Sequence, residues 1–289
     1  MDGFILVFLY ALIDRNGGGQ LLDKWLKAEL ESKIGAINHM SLLDEQGGTS
    51  TVRKIVAGQD AFLLKSSFQQ KYREWLMREA FVLQKLTETR RLPVPIYYGM
   101  IQEQHASHII MSFEDGITLT SALRKAKGDT EKKKLIKSFG RFLQRLHETE
   151  MVPGLQPESD WLDLQIKRAG EYVKKGQAEG SAELLKELDR YRPVPVQQTM
   201  IHGDCTTDNV LVKDGEVYLF IDAAGISAGD PRYDESLAIS HFVTNEACLN
   251  AFYEGYCRYR VSKQEFEYFN DGLYEFFLKN LLCKKSILL

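Results

Sequence analysis

Two acidic side chains and one amide stand at fixed spacings in the second half of the chain. Asp204 precedes Asn209 by five residues, and Asn209 precedes Asp222 by thirteen. An apolar run follows Asn209, a turn-forming segment comes at residues 213–216, and a second apolar run leads to Asp222. Two apolar runs joined by such a turn predict a β-hairpin. Because a hairpin folds back on itself, we expect Asn209 and Asp222 to lie at one end of it, beside Asp204.

These three side chains are of the types that phosphoryl transfer requires. That reaction uses one carboxylate to orient and deprotonate a hydroxyl, and two oxygen ligands for a Mg²⁺ ion that bridges the phosphates. The order His202-x-Asp204, followed by Asn209 and then Asp222, is the pattern of a kinase catalytic loop. The alternative interpretation is a hairpin with three solvated polar residues. It is disfavoured because Asn209 and Asp222 both stand at the spacings that the kinase pattern requires.

Length and composition are those of an ordinary globular protein. A chain of 289 residues can bury a sizeable core and usually forms one large domain or two lobes. It is 44% hydrophobic and 27% charged, which is typical of a soluble protein. Its four cysteines show no paired or metal-binding spacing. That pattern fits reduced thiols and predicts a cytoplasmic location.

The charge is unevenly divided although the net charge is only −3. Residues 1–147 contain 22 Lys and Arg against 16 Asp and Glu, a net +6, whereas residues 148–289 contain 15 against 24, a net −9. An acidic second half suits a cationic small-molecule substrate, and a basic first half suits ATP. Solvated surface charge would produce the same division.

The start of the chain is unusual. Residues 4–13 form an apolar run that is too short to span a bilayer. No basic segment precedes the run, so it is a poor signal peptide. A glycine-rich stretch follows at residues 16–20. We expect residues 1–20 to be an atypical N-terminal extension, and one interpretation places the native start near Leu21 or Leu22.

Hydrophobic periodicity predicts an α+β fold with two lobes. We expect a small β-rich N-lobe over residues 21–113, which would bind the nucleotide, and a larger, mostly helical C-lobe over residues 114–289, which would hold the catalytic loop and the substrate pocket. The patterns that support this division predict helices at 21–33, 68–86, 130–146, 161–175, 181–191, 234–244, 246–259 and 263–282, and strands at 61–65, 96–101 and 108–113.

A kinase needs a cation on the phosphates of ATP and a partner that holds this cation in place. Lys65 ends a predicted strand, and Glu79 lies in the helix that follows. We expect Glu79 to pair with Lys65 and to fix its position. Surface Lys and Glu are common on any fold, but these two stand in the right lobe and in the right order before the catalytic loop.

Two further segments of the N-lobe are candidates for nucleotide contacts. The turn that contains Gly48, Thr49 and Ser50 is placed to direct backbone N–H groups at phosphates, although a simple hairpin turn explains it equally well. Ser112 and Phe113 fall where the predicted lobes join. Backbone groups there are expected to face the edge of an adenine.

The chain resembles bacterial aminoglycoside phosphotransferases. These enzymes belong to the aminoglycoside phosphotransferase and choline kinase superfamily, which has a protein-kinase-like fold. The resemblance extends over nearly all of the chain after about Leu21. It is carried by four local patterns, at residues 76–80, 201–212, 221–234 and 273–277.

The resemblance implies a role for each matching residue. Asp204 would be the catalytic base, and His202 and Asp234 would brace the catalytic and metal loops. Glu275, in a C-terminal pattern that binds drug amines in aminoglycoside kinases, would contact a substrate ammonium group. By the same resemblance Asn209 and Asp222 would hold Mg²⁺, and Lys65 with Glu79 would grip ATP.

The substrate region departs from the family pattern. Tyr274 stands where a second acid is expected, and the chain continues beyond Phe277. Desolvated ammonium groups need carboxylate or carbonyl partners. The candidates are Glu158, Asp160, Asp271 and Glu275, each of which is also explained as a solvated helix charge.

Several other functions remain as alternatives. A kinase of choline, a sugar, homoserine or a macrolide would use the same fold and ATP site. A protein kinase is disfavoured because Thr206 stands where such enzymes carry a Lys and because no long activation segment follows Asp222. A non-catalytic nucleotide-binding scaffold usually loses a key residue, and none is lost here. Neither nucleic acid nor a membrane is an expected partner. The acceptor and the oligomeric state are left open.

Overall fold

The computed structural model describes residues 24–89, 91–157 and 159–277, which form two compact units. The predicted extension at residues 1–20, the candidate Glu158 and the end of the chain after Phe277 lie outside the described residues. Among the described helices, none is both long and apolar enough to span a membrane.

The first unit comprises residues 24–80 and 96–113 of the described chain and is built on an antiparallel sheet. Its five strands lie in the order β1-β2-β3-β5-β4. A glycine with a φ of +62°, Gly58, makes the tight turn between β2 and β3. The elements are α1 (Lys24–Ile34), β1 (Ile37–Leu42), β2 (Thr51–Ala57), β3 (Asp60–Ser67), the start of α2 (Gln70–Thr89), β4 (Tyr97–Gln102) and β5 (Ser107–Ser112).

The core of the first unit lies between α1 and one face of this sheet. Leu30 of α1 is fully buried and packs with Ile55, Leu64 and Ile110 from three neighbouring strands. Alternate residues of a strand face the same side of a sheet. The apolar residues of the central strands therefore pack against α1. This packing and the pairing with both neighbouring strands fix β3, which carries Lys65.

Helix α2 begins in the first unit and ends in the second. Residues 81–95 belong to the second unit, where the backbone N–H of Phe220 donates to the carbonyl oxygen of Pro93 at 2.9 Å. The predicted N-lobe included these residues. The other boundary of the units falls between Phe113 and Glu114.

The second unit is mostly helical and contains two small antiparallel sheets, one of β7 and β10 and one of β6, β8 and β9. Its elements are β6 (Ile117–Thr118), α3 (Leu119–Lys125), α4 (Asp129–His147), α5 (Trp161–Lys174), α6 (Ala182–Arg190), β7 (Thr199–Ile201), β8 (Val210–Lys213), β9 (Glu216–Phe220), a 3₁₀ turn (Ala223–Gly225), β10 (Ser227–Gly229), α7 (Pro231–Ile239), α8 (Glu246–Gly255), α9 (Lys263–Phe266), a π-helical turn (Glu267–Gly272) and a 3₁₀ turn (Leu273–Phe276).

The predicted α+β class is therefore confirmed, with strands concentrated in the first unit and helices in the second. The prediction of one regular helix over residues 263–282 is wrong for residues 263–277, and residues 278–282 lie outside the described residues. Only Lys263–Phe266 is α-helical, and the described chain continues as a π-helical turn and then a 3₁₀ turn. Gly272 has a φ of −106° and a ψ of −81°, outside the α-helical region, and it lies where the π-helical turn ends and the 3₁₀ turn begins.

Helices α4 and α8 approach each other closely because each presents a glycine at their contact. A Cβ on Gly140 would lie 2.3 Å from the carbonyl oxygen of Phe252, and a Cβ on Gly255 would lie 2.2 Å from that of Lys137. The aromatic rings of Phe139 and Phe252 pack edge to face at the same contact, 6.0 Å apart. The two backbones therefore meet without room for a methyl group.

We expect Gly140→Ala to destabilise the protein by ~1–3 kcal/mol, the usual cost of overpacking a core. The matched control is Gly170→Ala within α5, where the new Cβ would meet Leu185 at an ordinary 3.6 Å. Ala is favoured over Gly in a helix interior by roughly 0.5–1 kcal/mol, so the control should be stabilised. Thermal unfolding of both variants measures the two effects, and equal shifts would contradict the tight contact.

Candidate active site

The loop after β7 is held by a buried carboxylate from α7. Asp234 is fully buried, and its two oxygens accept the backbone N–H groups of His202 at 2.5 Å and Gly203 at 2.8 Å. Burying a carboxylate is costly unless hydrogen-bond donors surround it. A further donor, the His147 ring, lies 3.4 Å from the same carboxylate. The position of this loop is therefore tied to the start of α7.

Two glycines allow this loop to cross the segment that follows Asp222. Gly203 has a φ of +78°, and a Cβ on it would lie 2.6 Å from the carbonyl oxygen of Gly225. A Cβ on Gly225 would in turn lie 2.7 Å from the carbonyl oxygen of His202. Only glycine fits at both positions. Backbone geometry therefore requires the glycine of the His-Gly-Asp sequence, Gly203.

His202 joins the same two segments through its side chain. Its Nε2 lies 2.9 Å from the carbonyl oxygen of Ile221, and its ring stacks on Phe220 with centroids 5.1 Å apart. A carbonyl oxygen can only accept, so Nε2 carries the proton of this bond. Nδ1 is buried without a partner in the part of the chain that the structure describes. His202 therefore fixes Ile221, and with it the neighbouring Asp222.

The predicted hairpin is confirmed. Strands β8 and β9 pair in antiparallel register, and Asp214 and Gly215 at the turn both have positive φ, 53° and 80°. Positive φ at both central residues is what the favoured two-residue turn requires. The backbone N–H of Ile221 donates to the carbonyl oxygen of Asn209 at 2.9 Å. The hairpin thus brings the residue before Asp222 beside Asn209.

The Asp204 carboxylate is held at both oxygens. Asn209 Nδ2 donates to Asp204 Oδ2 at 2.8 Å and to the Asp204 backbone oxygen at 2.7 Å. The hydroxyl of Tyr274 donates to Asp204 Oδ1 at 2.7 Å. Burial raises the pKa of the Tyr274 hydroxyl well above its usual range, and the neighbouring Asp204 carboxylate adds to that rise. The phenol is therefore a neutral donor, and the carboxylate accepts.

The donor set near Asp204 fits a magnesium ion. Both Nδ2 hydrogens of Asn209 are used on Asp204, so the amide oxygen is the Asn209 side-chain atom that remains for a cation. Asp222 adds a carboxylate and adopts a left-handed backbone conformation, with φ of 59° and ψ of 52°. Magnesium prefers oxygen ligands and is commonly bound by one or two protein groups, with water and phosphate completing its shell.

The loop is also anchored at its far end, by contacts that the sequence did not indicate. Thr207 Oγ1 lies 2.7 Å from Thr120 Oγ1 and 2.8 Å from His241 Nδ1. The Thr207 side chain is buried. Asp204 is therefore fixed between the Asp234 carboxylate on one side and this threonine on the other, and Asn209 follows the threonine by two residues.

In the first unit the expected cation and its partner are paired. Lys65 Nζ, near the end of β3, lies 2.7 Å from Glu79 Oε2 on α2. Both side chains are largely buried, with Lys65 9% and Glu79 3% exposed. A buried pair of this kind holds the ammonium group in one position, because breaking it would leave an uncompensated charge.

The glycine-containing loop between β1 and β2 carries Gly48, Thr49 and Ser50. Ser50 Oγ is 2.6 Å from Ser67 Oγ, and Ser67 Oγ also donates to the backbone oxygen of Thr49 at 3.2 Å. These bonds tie the loop to the end of β3, close in sequence to Lys65. Its assignment to phosphate binding stays a prediction.

Ser112 is the last residue of β5 in the same unit, and Phe113 follows it. The Ser112 N–H donates to the carbonyl oxygen of Ile96 at 2.9 Å, and the Phe113 N–H donates to that of Ala61 at 3.2 Å. Both N–H groups are therefore used within the sheet. The adenine contact expected at these residues stays a prediction.

The carboxylates predicted to bind substrate are in different environments. Asp160 caps the N-terminus of α5 through Oδ1, and its Oδ2 accepts from Gln198 Nε2 at 2.8 Å. Asp271 is exposed and accepts from the side chain of Asn270. Glu275 is half-buried and directly follows Tyr274. Asp160 thus has a structural use already, whereas Asp271 and Glu275 lie in the same C-terminal segment as Tyr274.

Comparison with known proteins identifies the family. A family model described as the phosphotransferase enzyme family matches residues 43–267, more than half of the chain. The chain belongs to this family. The predicted recognition and the predicted enzyme class are confirmed, and this phosphotransferase is a small-molecule kinase. No curated protein matches its sequence.

Solved structures of similar fold include three phosphotransferases of antibiotics. An aminoglycoside-3'-phosphotransferase of type VIII superposes with a TM-score of 0.69 at 21% identity, covering 88% of this chain and 100% of that one. A thermostable mutant of aminoglycoside phosphotransferase APH(4)-Ia, in complex with ADP and hygromycin B, gives 0.59 at 16%, covering 88% of each. Macrolide 2'-phosphotransferase MphH from Brachybacterium faecium gives 0.53 at 18%, covering 86% of each. These likenesses confirm the protein-kinase-like fold.

Helix α7 of this phosphotransferase also buries a second carboxyl group, Glu235. Its Oε1 accepts from the Tyr253 hydroxyl and from the Val261 backbone N–H, both at 2.7 Å. Its Oε2 is buried with no partner among the described residues. Burial raises the pKa of Glu235 from its ordinary 4.5 to about 7, so the folded protein binds a proton that the unfolded chain releases.

We expect this carboxyl group to make the phosphotransferase less stable as pH rises from about 4.5 to about 7. In that window the unfolded chain has already lost the proton that the folded state retains. The decrease in the free energy of unfolding amounts to ~3 kcal/mol, since one pKa unit corresponds to about 1.4 kcal/mol. Glu235→Gln mimics the neutral acid. Its melting temperature should match the wild type at pH 5 and exceed it at pH 8, and an equal difference at both pH values would contradict the buried, proton-binding carboxyl.

Proposed function

We propose that this phosphotransferase transfers the γ-phosphoryl group of ATP to a hydroxyl of a cationic small molecule, with an aminoglycoside as the first candidate. The observation that carries the proposal is the Asp204 carboxylate itself. It is held by Asn209 on one oxygen and accepts an O–H group on the other. A carboxylate in this setting is suited to receive an acceptor hydroxyl in the same way.

Asp204 would act as the base. The acceptor oxygen forms a bond to the γ-phosphorus, the bond from that phosphorus to the β,γ-bridging oxygen breaks, and the hydroxyl proton passes to Asp204. Most of the rate would come from positioning the hydroxyl and from stabilising charge, rather than from strong basicity. The bonds from Asp234 to His202 and Gly203 favour this role, because they hold the Asp204 loop in one conformation.

The metal and nucleotide would be held by residues already constrained by the fold. Asn209 Oδ1 and the Asp222 carboxylate would bind Mg²⁺, which when bound neutralises charge on the phosphate oxygens. Lys65, held by Glu79, would contact phosphates of ATP. Gly48, Thr49 and Ser50 would lie over those phosphates, and Ser112 and Phe113 near the adenine.

Charge supports a cationic acceptor. Residues 148–289 carry a net charge of −9, and Asp271 and Glu275 lie in the same short segment as Tyr274, which contacts Asp204. Ammonium groups of a bound drug would pair with such carboxylates. Structurally similar proteins include complexes with hygromycin B and with spectinomycin. Glu158 and Asp160 remain further candidates for amine contacts.

A second candidate is an acceptor with fewer amines, such as a macrolide or a small hydroxylated metabolite. The observation that favours it is Tyr274, a neutral residue where the aminoglycoside kinases are expected to carry an acid. The similar macrolide 2'-phosphotransferase has the same fold, so the fold does not distinguish the two candidates. The choice of acceptor therefore depends on the C-terminal segment around residues 271–275.

We expect Mg·ATP-dependent ADP release with at least one aminoglycoside from a panel that also contains macrolides, choline and small hydroxylated metabolites. Asp204→Ala should lower turnover by ~10² to 10⁴, the scale of general-base catalysis, while ATP still binds. A coupled ADP-release assay measures turnover, and calorimetry measures ATP binding.

The matched control for this test is Asp129→Ala, which removes an exposed carboxylate from the first turn of α4 and should leave turnover unchanged. Turnover with another compound class alone would support the proposed kinase activity and reject an aminoglycoside as the acceptor. ATP binding without turnover of any acceptor would favour a scaffold role. Near-normal turnover by Asp204→Ala would remove Asp204 from its proposed role.

A further inference from the structure

The hydroxyl of Tyr274 occupies one oxygen of the Asp204 carboxylate. The Tyr274 oxygen lies 2.7 Å from Asp204 Oδ1, and Asn209 Nδ2 lies 2.8 Å from Oδ2. Both distances are those of well-formed hydrogen bonds to a carboxylate. An acceptor hydroxyl that approached Oδ1 of Asp204 would compete with the phenol hydroxyl for that oxygen.

The tyrosine is well placed to hold this position. The π-helical turn that precedes it gives way to a tight 3₁₀ turn at Leu273. The backbone oxygen of Glu275 accepts from the Gly180 N–H at 3.3 Å. The buried Phe276 ring packs directly on Gly180, where an added Cβ would lie 2.6 Å from the ring. The backbone around Tyr274 is thus anchored, while its half-buried ring ends at Asp204.

We propose that Tyr274 is a guard of Asp204. In the free enzyme its hydroxyl takes the place of the acceptor hydroxyl and keeps water from the carboxylate, and a true acceptor displaces it on binding. This inference rests on the proposed function, since it takes Asp204 to be the base. Tyr274 acts through Asp204 and is therefore a positioning residue that decides which hydroxyl the base receives.

The reaction that the guard would suppress is hydrolysis of ATP. A water molecule at Asp204 Oδ1 would form a bond from its oxygen to the γ-phosphorus, and the bond from that phosphorus to the β,γ-bridging oxygen would break. ADP and inorganic phosphate would leave, and the water proton would pass to Asp204 and then to solvent. Tyr274→Phe keeps the ring but removes the hydroxyl, which leaves Oδ1 to a water.

The test measures phosphate release from Mg·ATP with no acceptor present. We expect Tyr274→Phe to release phosphate roughly tenfold faster than the wild type, the scale of losing one hydrogen bond to a charged group. Adding Asp204→Ala should bring both proteins to the same low rate. ATP affinity from calorimetry and the melting temperature should change little, which separates a guard from a structural residue.

The matched control is Tyr268→Phe. Tyr268 lies six residues earlier in the same C-terminal segment and donates its hydroxyl to the backbone oxygen of Leu188 at 3.0 Å, so the substitution removes a hydroxyl that does not contact Asp204. Phosphate release by this control should equal the wild-type rate. An equal increase in the two variants would show a general loosening of the segment and would overturn the guard.

Three other outcomes would also overturn the proposal. The first is unchanged or slower phosphate release by Tyr274→Phe while basal release still depends on Asp204. This result would reject the guard but leave the proposed kinase function in place. A mass increase of one phosphoryl group on Tyr274 after incubation with Mg·ATP would show that the tyrosine is itself an acceptor. Absence of ATP binding in the wild type would reject the proposed function, and the guard with it.

Discussion

The whole site depends on one buried carboxylate that accepts two backbone N–H groups. Asp234 holds His202 and Gly203 in place, and the side chain of His202 then fixes Ile221 next to Asp222. The carboxylate sits at the start of a helix that is buried along its whole length. Rigid helix packing is thereby transmitted to two loops, the one that carries Asp204 and the one that carries Asp222.

Local chemistry made part of this site predictable from the sequence. The hairpin follows from the Asp214-Gly215 turn and its apolar flanks, and the Lys65–Glu79 pair follows from their order on a strand and the next helix. The contact between Tyr274 and Asp204 joins residues 70 positions apart, and no periodicity reports such a pairing. The predicted C-terminal helix failed for a related reason, because apolar spacing does not reveal the change to π-helical geometry at Glu267 or to 3₁₀ geometry at Leu273.

At Tyr274 this chain departs from the pattern of the aminoglycoside kinases it resembles. An acid at position 274 would place a second negative charge beside Asp204, whereas a tyrosine places a neutral donor there. Under the proposed mechanism, this exchange of a charge for a hydrogen bond would make an acceptor hydroxyl compete with the phenol for Asp204. Acceptor choice and protection from water would then be set by the same residue.

Asp234 positions the loop that carries Asp204. The most direct measurement is the turnover of Asp234→Asn, which keeps the size of the side chain but replaces one acceptor oxygen with a donor, with ATP affinity and melting temperature measured on the same protein. We predict a folded enzyme that binds ATP normally and turns over at least ~10²-fold more slowly, because its reacting groups are misplaced. A folded variant with turnover close to that of the wild type would contradict it.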